Sequence, residues 1–484
     1  MDACDLSAVE ARRRIGAKQL SPVELLDSCF RRIDAVNRQL NGIVAQDRDR
    51  AMVEARAAEQ AVMQGRPLGA LHGLPVGIKD MVDTAGLRTT YGSPVFKDQI
   101  PTRDAGLVTR LRQAGAIVQF KTNTPAWAAG GNTFNPVYGV SGNPFAPELT
   151  CGGSSGGSGI ALATGMLPLA HGSDNAGSLR IPASFCSVVG MRPTAGLVPY
   201  ERRVYGPAAL SVEGPMGRDV RDTLLLLTAL ASDDPRDPLA GHLDRDLRPD
   251  LAPADLSRLK IAYSADLGGF APIDRRLKEL FERRMASLSA SFSKATDTAP
   301  DLRDADAVYE TQRALLFVGT WHKRMQEMPD QWGPLVTANY QQGLELDATQ
   351  IAQANVRWTE IYRGAVEFFG EHDLLVTPTC GIGPWPKYEM FPRRVADRET
   401  PNYLDWVKMT YGITVLNHPA ISIPCGVDDR GLPFGLQLVA PRGKDAFLLQ
   451  AAMALESVLE PRPVPDIRKL AAMPAEDPLA RAVQ

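Results

Sequence analysis

Residues 151–159, CGGSSGGSG, place five glycines and three serines in nine positions and run directly into IALATGMLPLA, a compact apolar stretch. Gly/Ser runs ordinarily read as linkers or turns. A linker does not lead into buried structure, so this chain is expected to bring a nearly side-chain-free segment into its interior. Three uses of the segment compete. A phosphate cradle of the Walker type needs Gly-Lys-Ser/Thr, and no lysine follows here. A G-x-S-x-G elbow, centred on Ser154 or Ser155, would present a nucleophile, although that pattern arises easily in any Gly/Ser run. The third use is simply to turn the chain.

The surroundings favour alternating strands and helices. SPVELLDSCFRRIDAV opens with Ser21 as N-cap, Pro22 at the first helical position and Glu24 completing a capping box, and Leu25, Leu26, Cys29, Phe30 and Ile33 fall on one face. Further helices fit DRAMVEARAAEQAVMQG, DAGLVTRLRQAG with Gly115 as its C-terminal cap, and the regions 219–231, 347–368 and 444–458. Strands fit LPVGIK, AIVQFK, LPLAHG, DLLVTPT, AISIP and FGLQLV. Short apolar strands between helices predict an α/β sheet covered on both faces. The Pro- and Asp-rich stretch 232–257 reads as a surface excursion, and 461–484 as an extended tail with room for a short helix.

Composition removes several function classes. A net charge of −3 gives no electrostatic footprint for nucleic acid or an anionic membrane surface, so neither partner is expected. The start, MDACDLSAVEARRRIG, lacks a basic-then-apolar secretory layout, and the most apolar run, TLLLLTALA, is far short of the roughly 20 residues of a membrane span, which predicts a cytoplasmic protein. Cys4, Cys29, Cys151, Cys186, Cys380 and Cys425 are scattered without a C-x-x-C, and the six histidines, His242 among them, show no ligand spacing. No metal and no cofactor are expected.

Two more segments carry chemistry. In HGSDNAGSLRIPASFC, Ser178 follows Gly177 in a polar turn after a predicted strand, where α/β proteins place reactive groups. In GLPVGIKDMVDTAG, Lys79 ends another predicted strand among apolar residues; taken alone it reads as a snorkelling side chain or an ion-pair partner of Asp80 or Asp83. Taken together, GGSSGGSG, GSDNAGSLRIPASFCSVVGMRPT, LPVGIKD, DLLVTPT and HPAISIPCG with GLPFGLQLV resemble the amidase signature family of serine hydrolases. The likeness runs over nearly the whole chain, with spacings of 75 residues from Lys79 to Ser154 and 24 from Ser154 to Ser178.

The resemblance implies a central mixed sheet covered by helices and a single domain over 1–484. Its signature core spans about 70–200, a variable substrate-shaping region about 200–415, the closing strands and helix about 416–460, and the tail 461–484. It implies Ser178 as nucleophile, Ser154 as a bridging serine after an unusual cis peptide, and Lys79 as base. Such a base must be neutral, which burial among apolar groups favours. Oxyanion donors are implied at Asn175, Ala176, Gly177 and Ser178, and a backbone substrate contact at Ala128. Where the family commonly has Thr-Gly-Gly-Ser this chain has NAGS, and alanine restricts positive φ at Ala176. Ser155 reads either as a second hydroxyl on Lys79 or as a turn serine. Asp174 and Arg180 read as a structural ion pair or backbone supports, and Cys151 and Cys186 as packing.

The implied activity is hydrolysis of a carboxamide C–N bond through an acyl-enzyme, on a small apolar or aryl-bearing substrate. Carbamates (urethanes) and esters would be cleaved by the same chemistry. Two further readings stay open: an α/β-hydrolase that depends on a histidine, and the glutamine-amidase subunit of a transfer-RNA amidotransferase.

Overall fold

The computed structural model describes residues 2–206, 209–241, 246–481 and 483; His242 lies outside the described residues. Eleven strands among them form one sheet: β1 (Ile43–Gln46), β2 (Pro75–Lys79), β3 (Ile117–Thr122), β4 (Leu169–Asp174), β5 (Val189–Arg192), β6 (Val212–Gly217), β7 (Lys260–Tyr263), β8 (Lys294–Asp297), β9 (Leu374–Pro378), β10 (Ala420–Val427) and β11 (Pro433–Val439). Their spatial order is β1-β3-β2-β4-β6-β5-β10-β11-β9-β7-β8. The pairs β3/β2, β2/β4, β9/β7 and β7/β8 are parallel and the others antiparallel, so the sheet is mixed. The six strands expected from the sequence are all in it, as β2, β3, β4, β9, β10 and β11.

Helices cover the sheet for the reasons their sequences suggest. Pro22–Leu40 starts on the expected capping box, with the Ser21 N–H donating to Glu24 Oε2 at 3.0 Å, and buries Leu25, Leu26, Phe30, Ile33 and Val36. Gly106–Gln113 ends before Gly115, whose φ of +87° reverses the chain into β3. The second half of the glycine run forms the first turn of the helix Gly156–Ala163, every residue of which is buried, and the run itself lies in the interior. Its lack of side chains is a packing requirement: a β-carbon on Gly157 would overlap the backbone of Asn123. Residues 232–241 and 246–255 carry no helix or strand, although Asp237 is buried there and held at 2.9 Å by Arg203. The tail includes the short helix Ile467–Ala472, anchored by buried Leu470. Among the described residues no helix is long and apolar enough to cross a membrane.

This layering places three chain ends together. β2 terminates at Lys79, the glycine-rich loop precedes Gly156–Ala163, and the turn after β4 runs through residues 175–178 before the buried helix Arg180–Cys186. The site lies where these meet, at the carboxyl ends of parallel neighbours β2 and β4, the position open α/β sheets use for ligands.

Candidate active site

Lys79 is fully buried, and its ammonium has no carboxylate within 4.0 Å among the described residues. Its Nζ instead donates to Ser154 Oγ at 2.7 Å and to Ser173 Oγ at 2.9 Å. The ion pair with Asp80 or Asp83 that a lone lysine suggests does not form. Asp80 faces Lys121 at 3.8 Å, and Asp83 pairs with Arg202 at 2.6 Å. Burial pulls the Lys79 amine down to about 7, opposed by the charges of Glu213 and Asp174.

Ser154 follows a cis peptide bond from Gly153 and is buried. The neighbouring Ser155 turns away from Lys79: its hydroxyl donates to the Ser173 carbonyl at 3.3 Å and accepts from the Ser173 N–H at 3.3 Å. The second hydroxyl on the lysine is therefore Ser173, not Ser155. Backbone pairing of Ser155 N–H with the Ser178 carbonyl, at 3.2 Å, ties the glycine-rich loop to the turn carrying Ser178. The Ser178 hydroxyl has no hydrogen-bond partner among the described residues and, at 9 % exposure, opens onto a cavity of about 150 Å³. Ser154, Ser173, Asp174, Asn175 and Ala128 line the same cavity. A smaller recess of about 30 Å³ is lined by Ala176, Gly131, Gly153, Ser178 and Tyr403.

Asp174 and Arg180 form the frame of the turn. Asp174 Oδ1 accepts from the Gly177 N–H and Arg180 Nη2, both at 2.9 Å, and Oδ2 accepts from Leu179 N–H at 3.1 Å and Arg180 Nε at 3.0 Å. Burial works against the carboxylate, but Arg180 and Arg192 hold its pKa down at about 2. The Gly177 N–H is thereby committed to Asp174, whereas the N–H groups of Asn175, Ala176 and Ser178 have no acceptor among the described residues. The alanine of NAGS causes no strain, because positive φ falls one residue later, on Gly177 at +115°. A β-carbon on Gly177 would overlap the Thr410 side chain, whose hydroxyl donates to the Ala176 carbonyl. Asn175 is fixed through its side chain, donating to Ser211 Oγ at 2.8 Å and accepting from Tyr309 Oη at 2.7 Å.

Opposite the serines, Trp127 and Ala128 take φ of +57° and +56°, a left-handed pair that residues with a β-carbon rarely adopt. This bend turns Ala128 to the cavity and packs Trp127 against Tyr91, Trp321 and Trp332, with centroids at 5.7, 4.3 and 4.8 Å. Cys151 and Cys186 are buried and their thiols pushed up in pKa by desolvation, Cys151 to about 12, far from the thiolate character a nucleophile needs. Among the described residues no group of three or more His, Cys, Asp or Glu side chains is placed to hold a metal ion.

Sequence reasoning passes over several groups at this site: Ser173, the His171–Glu213 pair at 2.8 Å on β4 and β6, and Arg313. Ser173 lies within HGSDNAGS, and its place just before Asp174 is the only signal it gives. Glu213 and Arg313 come from parts of the chain with no motif.

Comparison with known proteins gives a consistent picture. The family model described as Amidase matches residues 24–449. The chain is 32 % identical to an acylamidase of Rhodococcus erythropolis, over 94 % of this chain and 95 % of that protein. It is 31 % identical to a glutamyl-tRNA(Gln) amidotransferase subunit of Picosynechococcus sp., over 93 % and 98 %. Among solved structures it resembles a bacterial aryl acylamidase of the amidase signature family, with a TM-score of 0.86 at 26 % identity, covering 98 % of this chain and 99 % of that one.

Proposed function

The chain belongs to the amidase signature family and is an amidase hydrolysing C–N bonds, and on that premise we propose that it works through an acyl-enzyme on Ser178, with Lys79 as base and Ser154 as relay. The observation that carries this reading is the 2.7 Å hydrogen bond between Lys79 Nζ and Ser154 Oγ, around an amine that burial brings to about 7.

A neutral lysine has one lone pair and two N–H groups. Ser173 accepts one N–H, which leaves the lone pair to take the Ser154 proton. As Ser178 Oγ attacks the amide carbon, its proton passes to Ser154 Oγ while the Ser154 proton passes to Lys79, generating ammonium and a tetrahedral oxyanion. The N–H groups of Asn175, Ala176 and Ser178 are the donors left for that oxyanion. The proton then returns through Ser154 to the leaving nitrogen, the C–N bond breaks and the amine departs neutral. Water attacks the ester of Ser178 by the same path, releasing the carboxylic acid. Every proton in this cycle moves between side chains of this chain, substrate and water. Ala128 supplies backbone contact to the substrate.

The aromatic and apolar wall of Trp127, Phe317, Trp321, Leu316 and Met81 supports a substrate with an apolar or aryl portion, as does likeness to an aryl acylamidase. Carbamates and esters present the same carbonyl and belong in the first substrate panel. Six free, buried cysteines support a reducing, cytoplasmic setting.

The test is labelling with a fluorophosphonate followed by peptide mapping. The expected adduct is on Ser178 and is lost in Ser178→Ala; an adduct on Ser154 or Ser155 overturns the assigned roles. Similarity to a glutamyl-tRNA(Gln) amidotransferase subunit supports a second reading, in which the chain works inside a complex. That reading requires the purified chain to be nearly inactive on simple amides, where the first requires turnover.

A further inference from the structure

Arg313 sits on the helix Ala305–Glu327, is only 6 % exposed, and lines both the larger cavity and the smaller recess beside Ser178. All of its partners are neutral. Nε donates to Asn339 Oδ1 at 2.9 Å and Tyr403 Oη at 2.7 Å, and Nη1 reaches Asn175 Oδ1 at 3.3 Å and Tyr309 Oη at 3.4 Å. The rings of Phe317 and Tyr403 lie 5.0 and 5.3 Å from its guanidinium carbon. No carboxylate comes within 4.0 Å of it among the described residues.

The remaining arginines around the cavity are all matched. Arg180 and Arg192 share Asp174 at 2.9 and 3.5 Å, Arg202 pairs with Asp83 at 2.6 Å, and Arg203 with Asp237 at 2.9 Å. Of the carboxylates that line the cavity, Asp174 is matched by Arg180, while Glu213 lies 2.8 Å from the His171 ring and is none of Arg313's own partners. A guanidinium taken out of water is costly unless an anion meets it. Neutral acceptors orient Arg313 without supplying that anion. Its Nη2 group has no partner among the described residues, and its Nη1 contacts are long, so the outer edge of the fork is the part left for a ligand. Two parallel N–H groups on a planar fork fit a carboxylate.

We propose that the amide substrate carries a carboxylate, which pairs with the Nη1–Nη2 edge of Arg313 while its scissile carbonyl reaches Ser178. The link through Asn175, three residues before Ser178, sets that anion site beside the reacting centre. The apolar body of the substrate then lies against Trp127, Phe317 and Trp321. This inference rests on Ser178 as the nucleophile and adds the charge of the substrate class to that reading.

The experiment compares kcat/KM within two matched pairs. One places the charge on the acyl side, N-(4-nitrophenyl)succinamic acid against N-(4-nitrophenyl)pentanamide. The second places it on the amine side, 3-acetamidobenzoate against 3-methylacetanilide. In the wild-type protein the charged member of at least one pair is expected to be preferred by about tenfold or more. Arg313→Gln brings that ratio to about one, and Arg313→Lys retains part of it. Preference for the neutral member in both pairs, or an unchanged ratio in Arg313→Gln, overturns the proposal. The wild-type ratios decide the question even if a variant does not fold. Neutral fluorophosphonate labelling is run in parallel: failure to label Ser178 in wild-type protein overturns the nucleophile reading itself, whereas labelling with no charge preference overturns the Arg313 proposal alone.

Discussion

Lys79 and Lys121 stand on neighbouring parallel strands, both fully buried, and they differ in what receives the amine. Register pairs Lys121 with Ile78 and Lys79 with Thr122, so the two lysines leave opposite faces of the sheet. Lys121 Nζ donates to the Val82 carbonyl at 2.5 Å and lies 3.8 Å from Asp80. Burial pulls its amine down to about 8, against the attraction of Asp80. Lys79 meets two hydroxyls and lies farther from any anion, and burial takes it lower, to about 7. An amine locked onto a carbonyl and an acid holds a loop to a strand. One held by hydroxyls can exchange its proton with them.

The contrast is broken most sharply by deleting each amine. Lys79→Met is expected to lower kcat by about 10⁴-fold or more while leaving the urea midpoint intact, since a buried unpaired amine is replaced by an apolar chain of similar length. Lys121→Met should do the reverse. It leaves Asp80 buried without its cation, costing about 3 kcal/mol of stability in urea titration, with kcat per folded molecule nearly unchanged. Equal losses of activity in the two variants would remove the distinction. A smaller effect sharpens it. Ser154→Ala should cost about 100-fold in kcat, with water standing in for part of the relay, and Ser173→Ala less, because Ser173 only holds the amine. The smallest effect is on pH. Lys79 serves as base when neutral, so kcat/KM should rise with pH through about 7 and level off above it. Glu213 raises the Lys79 pKa, so Glu213→Gln should move that limb to lower pH, as read from the pH–rate profile. A limb that stays in place, or one that tracks Lys121 near 8, would contradict the assignment.

The same pair shows how far the sequence can be read. LPVGIKD and AIVQFKT each carry an apolar strand up to a lysine, and strand periodicity alone does not separate them. Motif order and spacing, through the family resemblance, single out Lys79. The six strands with continuous β-branched or leucine-rich runs are legible. β6, VEGPMG, is not, since Pro215 and two glycines argue against a strand; β1, β7 and β8 are four residues long and give little pattern. Ser155 adjoins Ser154 and so looks like the second hydroxyl. Its hydroxyl is taken by the backbone of Ser173 instead, and the Ser173 side chain arrives from β4, 94 residues beyond Lys79. Arg313 in YETQRALLF looks like one more charge on a solvated helix face, and only the packing of Ala305–Glu327 against Asn339 and Tyr403 shows it to be interior. The positive φ expected to trouble Ala176 belongs to Gly177 for the same reason, because a tertiary contact with Thr410 fixes the turn.

Three of the six tryptophans, Trp127, Trp321 and Trp332, pack into one cluster, and two of them form cavity wall. Indole emission responds to the polarity and quenchers around the ring, so the molecule carries its own optical gauge of occupancy. A ligand that displaces water from Trp127 and Trp321 will register in the ultraviolet emission of the unmodified protein, which allows binding to be titrated apart from turnover, with Ser178→Ala as the silent host.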